Sequence, residues 1–168
     1  MTVESPALTG FMERYLAAWN GRESSAMDAL VTDDIVWFDP ALPHPARGQA
    51  EVRAFMEQSW RSFPDLRFSE PDPPFIVQDG DRVAWAWRMR GTFSGAPLDP
   101  PGFAPTHRTI DVLGIDQWEL RDGRIARYRA YYDMADLARQ LGIMPPAGSG
   151  AEKAMAALQR VQARFMRR

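Results

Sequence analysis

Residues 110–132 read IDVLGIDQWELRDGRIARYRAYY. Ile110, Val112, Gly114, Asp116, Trp118 and Leu120 recur there with the period of two that puts alternate side chains on one face of a strand. Asp122-Gly123 then stands between that pattern and a second one from Arg124 to Tyr132, and an Asp-Gly pair in that position is a strong local signal for a tight hairpin. The same device recurs upstream, where Gln78-Asp79-Gly80-Asp81 separates a strand pattern at Phe75 to Gln78 from one at Arg82 to Phe93. With a short strand near Leu66 to Ser69, and with the strand ending at Leu120 beginning near Thr106, these segments predict a curved antiparallel sheet.

Before the sheet the period is helical. Ser5-Pro6 reads as an N-cap followed by proline in the first helical position, and Leu8, Phe11, Met12, Tyr15, Leu16 and Trp19 then form an apolar stripe ending near Asn20-Gly21. A shorter helix is expected from Glu23 to Leu30, then a short strand, Ile35 to Asp39, stopped by Pro40. Ala41 to Arg47 reads as a loop. From Gly48 a third helix carries Val52, Phe55, Met56, Ser59, Trp60 and Phe63 and closes at Pro64-Asp65. Ser94 to Pro105 is too rich in proline and glycine for a strand and reads as a long ordered loop over a pocket mouth.

After the sheet a helix is expected from Met134 to Leu141, ended by Gly142, and the stretch from Pro145 to Gly150 reads as a linker. The last helix, from about Ala151, carries Met155, Leu158, Val161 and Phe165 at spacings of three and four, with Arg160, Arg164, Arg167 and Arg168 elsewhere, and is expected to dock on its own domain or on a second subunit. The fold class is therefore α+β, with one domain over residues 1–144 and a linker and C-terminal helix over 145–168.

The chain has 168 residues, of which 45% are hydrophobic, enough for one continuous core. Twenty basic residues nearly balance 22 acidic ones, leaving a net charge of -2 and no global field to attract nucleic acid. No leader pattern and no apolar run long enough to span a bilayer is present, so no membrane partner and a cytoplasmic location are expected. With no cysteine, two histidines (His44 and His107), no Gly-rich phosphate loop, no H-E-x-x-H and no G-x-S-x-G, the expectation is an absence of metal and cofactor.

Asp116 is an acid on a face otherwise apolar. Burying an unpaired carboxylate drives it to take up a proton, and a neutral carboxylic acid donates a hydrogen bond. The alternative is a bulge near Gly114 that slips the register and leaves Asp116 in water. Tyr15 sits among Phe11, Met12 and Trp19, where its hydroxyl needs a partner. Asp39 shares the phase of Ile35 and Trp37 and so faces inward, although Asp-Pro at a strand end is also an ordinary turn opener. Phe55, Met56 and Trp60 on the third helix, Trp85, Trp87 and Met89 on one strand, and Trp118, Ala130 and Tyr132 on the later strands are expected to line a pocket for a flat apolar ligand, the alternative being plain core packing.

Together these residues resemble the ketosteroid isomerases within the nuclear transport factor 2-like and SnoaL-like superfamily, from about Leu8 to Leu141. The resemblance implies a cone-shaped sheet, antiparallel with a mixed edge, wrapped by three N-terminal helices, and a homodimer. Arg14 to Asn20 is similar to the helix whose tyrosine donates to an oxyanion, Asp39-Pro40 to the segment of the general base, and Gly114 to Trp118 to the strand of a protonated aspartic acid that is the second donor. Ala130 stands where the similar limonene-epoxide hydrolases carry a catalytic aspartate. Met56 stands where some isomerases have a supporting tyrosine, and the 94–105 loop is more like that of SnoaL-like cyclases. The implied activity is cofactor-independent enolate chemistry, isomerisation or aldol-type cyclisation, on an apolar carbonyl compound such as a polyketide or steroid-like intermediate. A non-catalytic binding or assembly domain is the rival from another class, and an epoxide hydrolase is the third reading.

Overall fold

The computed structural model describes residues 6–166, so the cap read at Ser5 and the side chains of Arg167 and Arg168 lie outside the described residues. Helix α1 (Pro6–Gly21) buries Leu8, Phe11, Met12, Tyr15 and Trp19, the stripe that its spacing predicts. Its end is clamped to the sheet by Asn20, whose amide donates to the Phe68 carbonyl at 2.9 Å and accepts from the Phe68 N–H at 2.8 Å. The segment expected as a second α-helix is a single stretch of 3-10 helix, Ser24–Ala29, that buries only Met27. Two serines and an aspartate compete there with backbone hydrogen bonds, and one apolar anchor does not sustain a longer helix.

Strand β1 (Val31–Phe38) starts four residues before the expected strand. Val31 and Thr32 are both buried, Asp33 and Asp34 both exposed, and the alternation resumes only at Ile35, so period two picks out the second half alone. A register irregularity between Val31 and Val36 absorbs the break. The segment expected as a loop contains a two-residue strand, β2 (Ala46–Arg47), and helix α2 (Gly48–Ser62) follows as expected. Then come β3 (Arg67–Ser69), β4 (Ile76–Asp79), β5 (Arg82–Thr92), β6 (Thr109–Arg121), β7 (Arg124–Tyr132) and two more helices, α3 (Met134–Gln140) and α4 (Gly150–Met166). Strand β6 begins later than Thr106 because His107 takes a φ of 55°, outside strand geometry.

The strands form one curved, unclosed sheet in the order β2-β1-β7-β6-β5-β3, with β4 also on β5. All pairs are antiparallel except β1 with β7, which is the mixed edge. At the Asp122-Gly123 turn both residues have positive φ, 52° and 73°, as the mirror-image hairpin turn requires. Pairing of β5 with β6 runs without a break from Arg82 opposite Glu119 to Thr92 opposite Thr109. The bulge considered near Gly114 is therefore absent. The irregularity of β6 lies at Glu119–Leu120, beyond Asp116.

Two expectations about the periphery resolve differently. The 94–105 loop is ordered against the rest of the fold: Gly95 N–H donates to the Ser62 carbonyl at 3.1 Å, Ala96 N–H to Arg61 at 2.7 Å, and Leu98 pairs with Phe103. Helix α4 buries none of its residues, so it does not dock its apolar stripe on its own domain. Amphipathic spacing specifies which face wants cover and says nothing of the surface that supplies it. No helix among the described residues is long and apolar enough to cross a membrane.

A Cβ at Gly95 would sit 1.9 Å from the Arg61 carbonyl oxygen, which is backbone and cannot swing away. Gly95→Ala should lower stability by about 1–3 kcal/mol through overpacking, read as a drop of several degrees in Tm, and should detach the loop from α2; an unchanged Tm would show that this contact does not hold the loop.

Candidate active site

A cavity of about 310 Å³ opens between the inner face of the sheet and helices α1 and α2, a volume suited to a small organic ligand. Its walls are mostly apolar: Trp19 from α1, Phe55 and Phe63 at α2, Phe68 from β3, and Trp85 and Met89 from β5. Leu98, Pro100 and Phe103 of the 94–105 loop, with Leu137 and Leu141 at α3, cover it from the other side. Polar atoms are few and come from Asp39, Asp116 and the tyrosines 15, 128 and 132, with Gln58 and Ser59 on α2 and Asp99 on the covering loop.

Asp116 lies on β6 with 1% of its surface exposed. Its Oδ1 accepts two hydrogen bonds, from the Trp87 indole N–H at 2.6 Å and from the Tyr128 hydroxyl at 2.7 Å. At its Oδ2 the one hydrogen bond among the described residues comes from the Tyr15 hydroxyl, at 3.5 Å. Burial raises the Asp116 carboxyl; the donors Tyr128 and Trp87 oppose that rise, the negative charge of Asp39 adds to it, and the group stands at about 7.

Asp39 follows the last residue of β1 and is half-buried. Its Oδ1 also accepts twice, from the Ala41 N–H at 2.8 Å and from the Tyr132 hydroxyl at 2.7 Å, whereas its Oδ2 has no hydrogen-bond partner among the described residues. Burial raises Asp39 above the ordinary carboxylate range, against those two donors. Tyr15, buried and close to the Asp116 carboxylate, is raised well above an ordinary phenol and keeps its proton. The two carboxylates thus share one pattern, one oxygen saturated by two short hydrogen bonds and the other with at most one long one among the described residues.

Of the residues expected from sequence, Tyr15, Asp39, Asp116, Phe55, Trp85, Trp87, Met89 and Tyr132 line the cavity. Met56, Trp60, Trp118 and Ala130 do not. Met56 is completely buried and Trp60 packs on Trp19, because each stands one residue, or 100° of helix, beyond the cavity-facing Phe55 and Ser59. Trp118 shares the face of Asp116 but is covered by Phe11 and Tyr15, with ring centroids 5.5 and 5.0 Å away. Ala130, directly opposite Asp116 on β7, is too short to reach past its neighbours Tyr128 and Tyr132.

Tyr128, which lines the cavity and donates to Asp116, is absent from that expected set. It shares the phase of Ala130 and Tyr132, so period two alone points it inward, and Trp37 stacks on it at 3.5 Å with 12° between the rings. Among the described residues no three His, Asp or Glu side chains gather as metal ligands would.

A SnoaL-like domain is recognised over residues 12–128. TsrD from Streptomyces laurentii is 25% identical over 84% of this chain and 99% of its own, with a TM-score of 0.71. IdmH from Streptomyces antibioticus, proposed to be a polyketide cyclase, is 24% identical over 82% of this chain and 99% of its own, with a TM-score of 0.65. A Catenulispora acidiphila protein with a ketosteroid isomerase-like fold is 18% identical over 87% of this chain and all of its own, at 0.66. The last two likenesses establish the fold alone. No curated protein matches the chain.

The raised Asp116 has a consequence for stability. The folded state binds this proton more tightly than the unfolded chain, so the contribution is complete below about pH 4 and is lost as pH rises through about 7. Relative to wild type, Asp116→Asn should therefore gain as pH rises from 4 to 8, by on the order of 4 kcal/mol, in urea unfolding followed by tryptophan fluorescence. Comparing the two proteins cancels Asp111, which Arg88 and Arg90 hold at about 2 and which acts in the opposite direction. A difference that stays flat across this range would mean an unshifted Asp116.

Proposed function

Because the chain belongs to the SnoaL-like domain family, we propose that it is an enzyme of cofactor-independent acid–base chemistry, isomerising or cyclising an apolar carbonyl compound such as a polyketide or steroid-like intermediate through an enolate. The observation that carries this reading is the 3.5 Å gap between the Tyr15 hydroxyl and Asp116 Oδ2 inside an apolar cavity that Asp39 also lines. One substrate oxygen fits between two donors at that separation, at about 2.7–3.1 Å from each, the arrangement that stabilises a developing oxyanion.

Asp39 would act as the base. It is less buried than Asp116 and its ionised form holds two hydrogen bonds, so the first proton shed by the pair is its own, and the resulting charge helps keep the proton on Asp116. The open Oδ2 of Asp39 takes a proton from the carbon beside the carbonyl, the C–H electron pair forms the enolate double bond, and the carbonyl π pair moves onto the oxygen held by Tyr15 and Asp116. In isomerisation Asp39 returns the proton to the γ carbon. In aldol cyclisation the enolate carbon attacks a second carbonyl of the same molecule and that oxygen takes the proton. The mostly apolar walls lower the local dielectric, which strengthens each of these interactions.

The partner in assembly would be a second copy of the chain. Leu113, Ile115 and Tyr131 are exposed on the outer sheet face, with Ile115 directly opposite Tyr131, and the stripe of α4 is exposed as well. Analytical ultracentrifugation at micromolar concentration should return twice the mass of one chain, and Ile115→Lys with Tyr131→Lys should return one; a monomeric wild type refutes the dimer.

With a β,γ-unsaturated ketone as substrate, wild type should isomerise above background. Asp39→Asn should lose at least about 10²-fold, as expected for a general base, and Tyr15→Phe about 10²–10³-fold, as for one oxyanion donor. The pH profile of kcat should fall on the acid side as Asp39 takes up a proton and on the basic side as Asp116 ionises near 7. Asn keeps an acceptor oxygen and an N–H donor, so Asp116→Asn should retain most of the rate and lose the basic limb. Absence of turnover in every folded variant, with ligands still binding, would favour a binding domain.

A further inference from the structure

Gly114 and Trp87 face each other directly across β5 and β6. A Cβ on Gly114 would lie 2.2 Å from Cζ2 of Trp87 and 2.4 Å from Cη2. The indole therefore lies across the bare backbone of Gly114, a position no other residue type at 114 would leave open. From there its N–H reaches Asp116 Oδ1 at 2.6 Å. An indole N–H only donates, so this oxygen is held as an acceptor whether Asp116 is neutral or charged. Tyr128 reinforces the assignment at 2.7 Å on the same oxygen and is itself fixed by the Trp37 stack.

We propose that Trp87, laid across Gly114, is a positioning residue that confines the carboxylic proton of Asp116 to Oδ2, the oxygen facing Tyr15. A free carboxylic acid carries its proton on either oxygen. Two donors aimed at one of them remove that choice, and the distance from Oδ2 to Tyr15, 3.5 Å, is too long to hold the proton firmly, which leaves it for a ligand oxygen. The titratable groups around Asp116 are Tyr15 from α1, Tyr128 and Tyr132 from β7 and Asp39 beyond β1; none brings a positive charge, so hydrogen bonds alone favour the carboxylate. Use of the Oδ2 proton in catalysis rests on the function proposed above, whereas the confinement does not.

The test is a ¹³C NMR titration of aspartate carboxyls in the folded protein, with the Asp116 signal assigned by its loss in Asp116→Asn. Wild type should titrate near pH 7. Trp87→Phe keeps a ring in the cavity wall and deletes the donor, so its midpoint should rise by about one to two pH units, the effect of one hydrogen bond to a charged group. Tyr128→Phe should produce a shift of the same sign with Trp87 intact, and Gly114→Ala should do so by displacing the indole. A structural role for Trp87 would lower stability and leave the midpoint in place. An Asp116 midpoint in folded Trp87→Phe equal to that of wild type overturns the proposal, as does a Gly114→Ala protein with no shift. Because this readout needs no turnover, shifted midpoints in a protein that acts on no ketone would uphold the confinement and reject the enolate reading.

Discussion

A carboxyl group with no access to bulk water governs the interior of this fold. Left alone at that depth, Asp116 would be several kcal/mol too costly to ionise, and the surrounding elements answer this with donors. β5 supplies an indole, β7 a phenol and α1 a second phenol at longer range. Each donor needs its own seat: Trp87 needs the missing side chain at 114, Tyr128 needs the stack on Trp37, and Tyr15 needs its T-shaped contact with Trp85 and its tilted one with Trp118. Much of the aromatic core is thus arranged by the requirements of one acid.

The same constraint explains which parts of the molecule could be read from the chain. Strong alternation with Asp-Gly turns carries its meaning locally, so β5, β6 and β7 and the inward aim of Asp116 were legible. Asp39 and Tyr15 were legible for the same reason, each sharing the phase of buried neighbours. Trp87 and Tyr128 as the partners of Asp116 were not, because their meeting depends on cross-strand register and on a side chain absent at Gly114, neither of which periodicity encodes. Met56 and Trp60 fail by a rotation: helical spacing marks an apolar face wider than the arc that reaches a cavity, and part of that face belongs to the core. Trp118 fails by depth, since period two fixes a face and not the position along it where α1 closes over the sheet.

Fold and chemistry are also separable in the family to which the chain belongs. The likeness to proteins of 18 and 24% identity is one of fold over 82 to 87% of the chain, and one fold accepts many reactions. In this chain two carboxylates, each with one oxygen saturated by donors, are turned into the cavity, and the covering loop is pinned to α2.

The parallel pairing of β1 with β7 bears on how the protein comes into being. The hydrogen bond between Tyr132 and Asp39 joins residues 93 apart in sequence, and that between Tyr15 and Asp116 joins residues 101 apart. Contacts of such long range cost more loop-closure entropy than the local hairpins do, which slows folding. A nascent chain emerging from the ribosome carries Asp39 and Tyr15 long before it carries their partners. Because Asp39 follows β1 and Tyr132 ends β7, the parallel pairing that completes the native topology also completes this part of the cavity's polar lining.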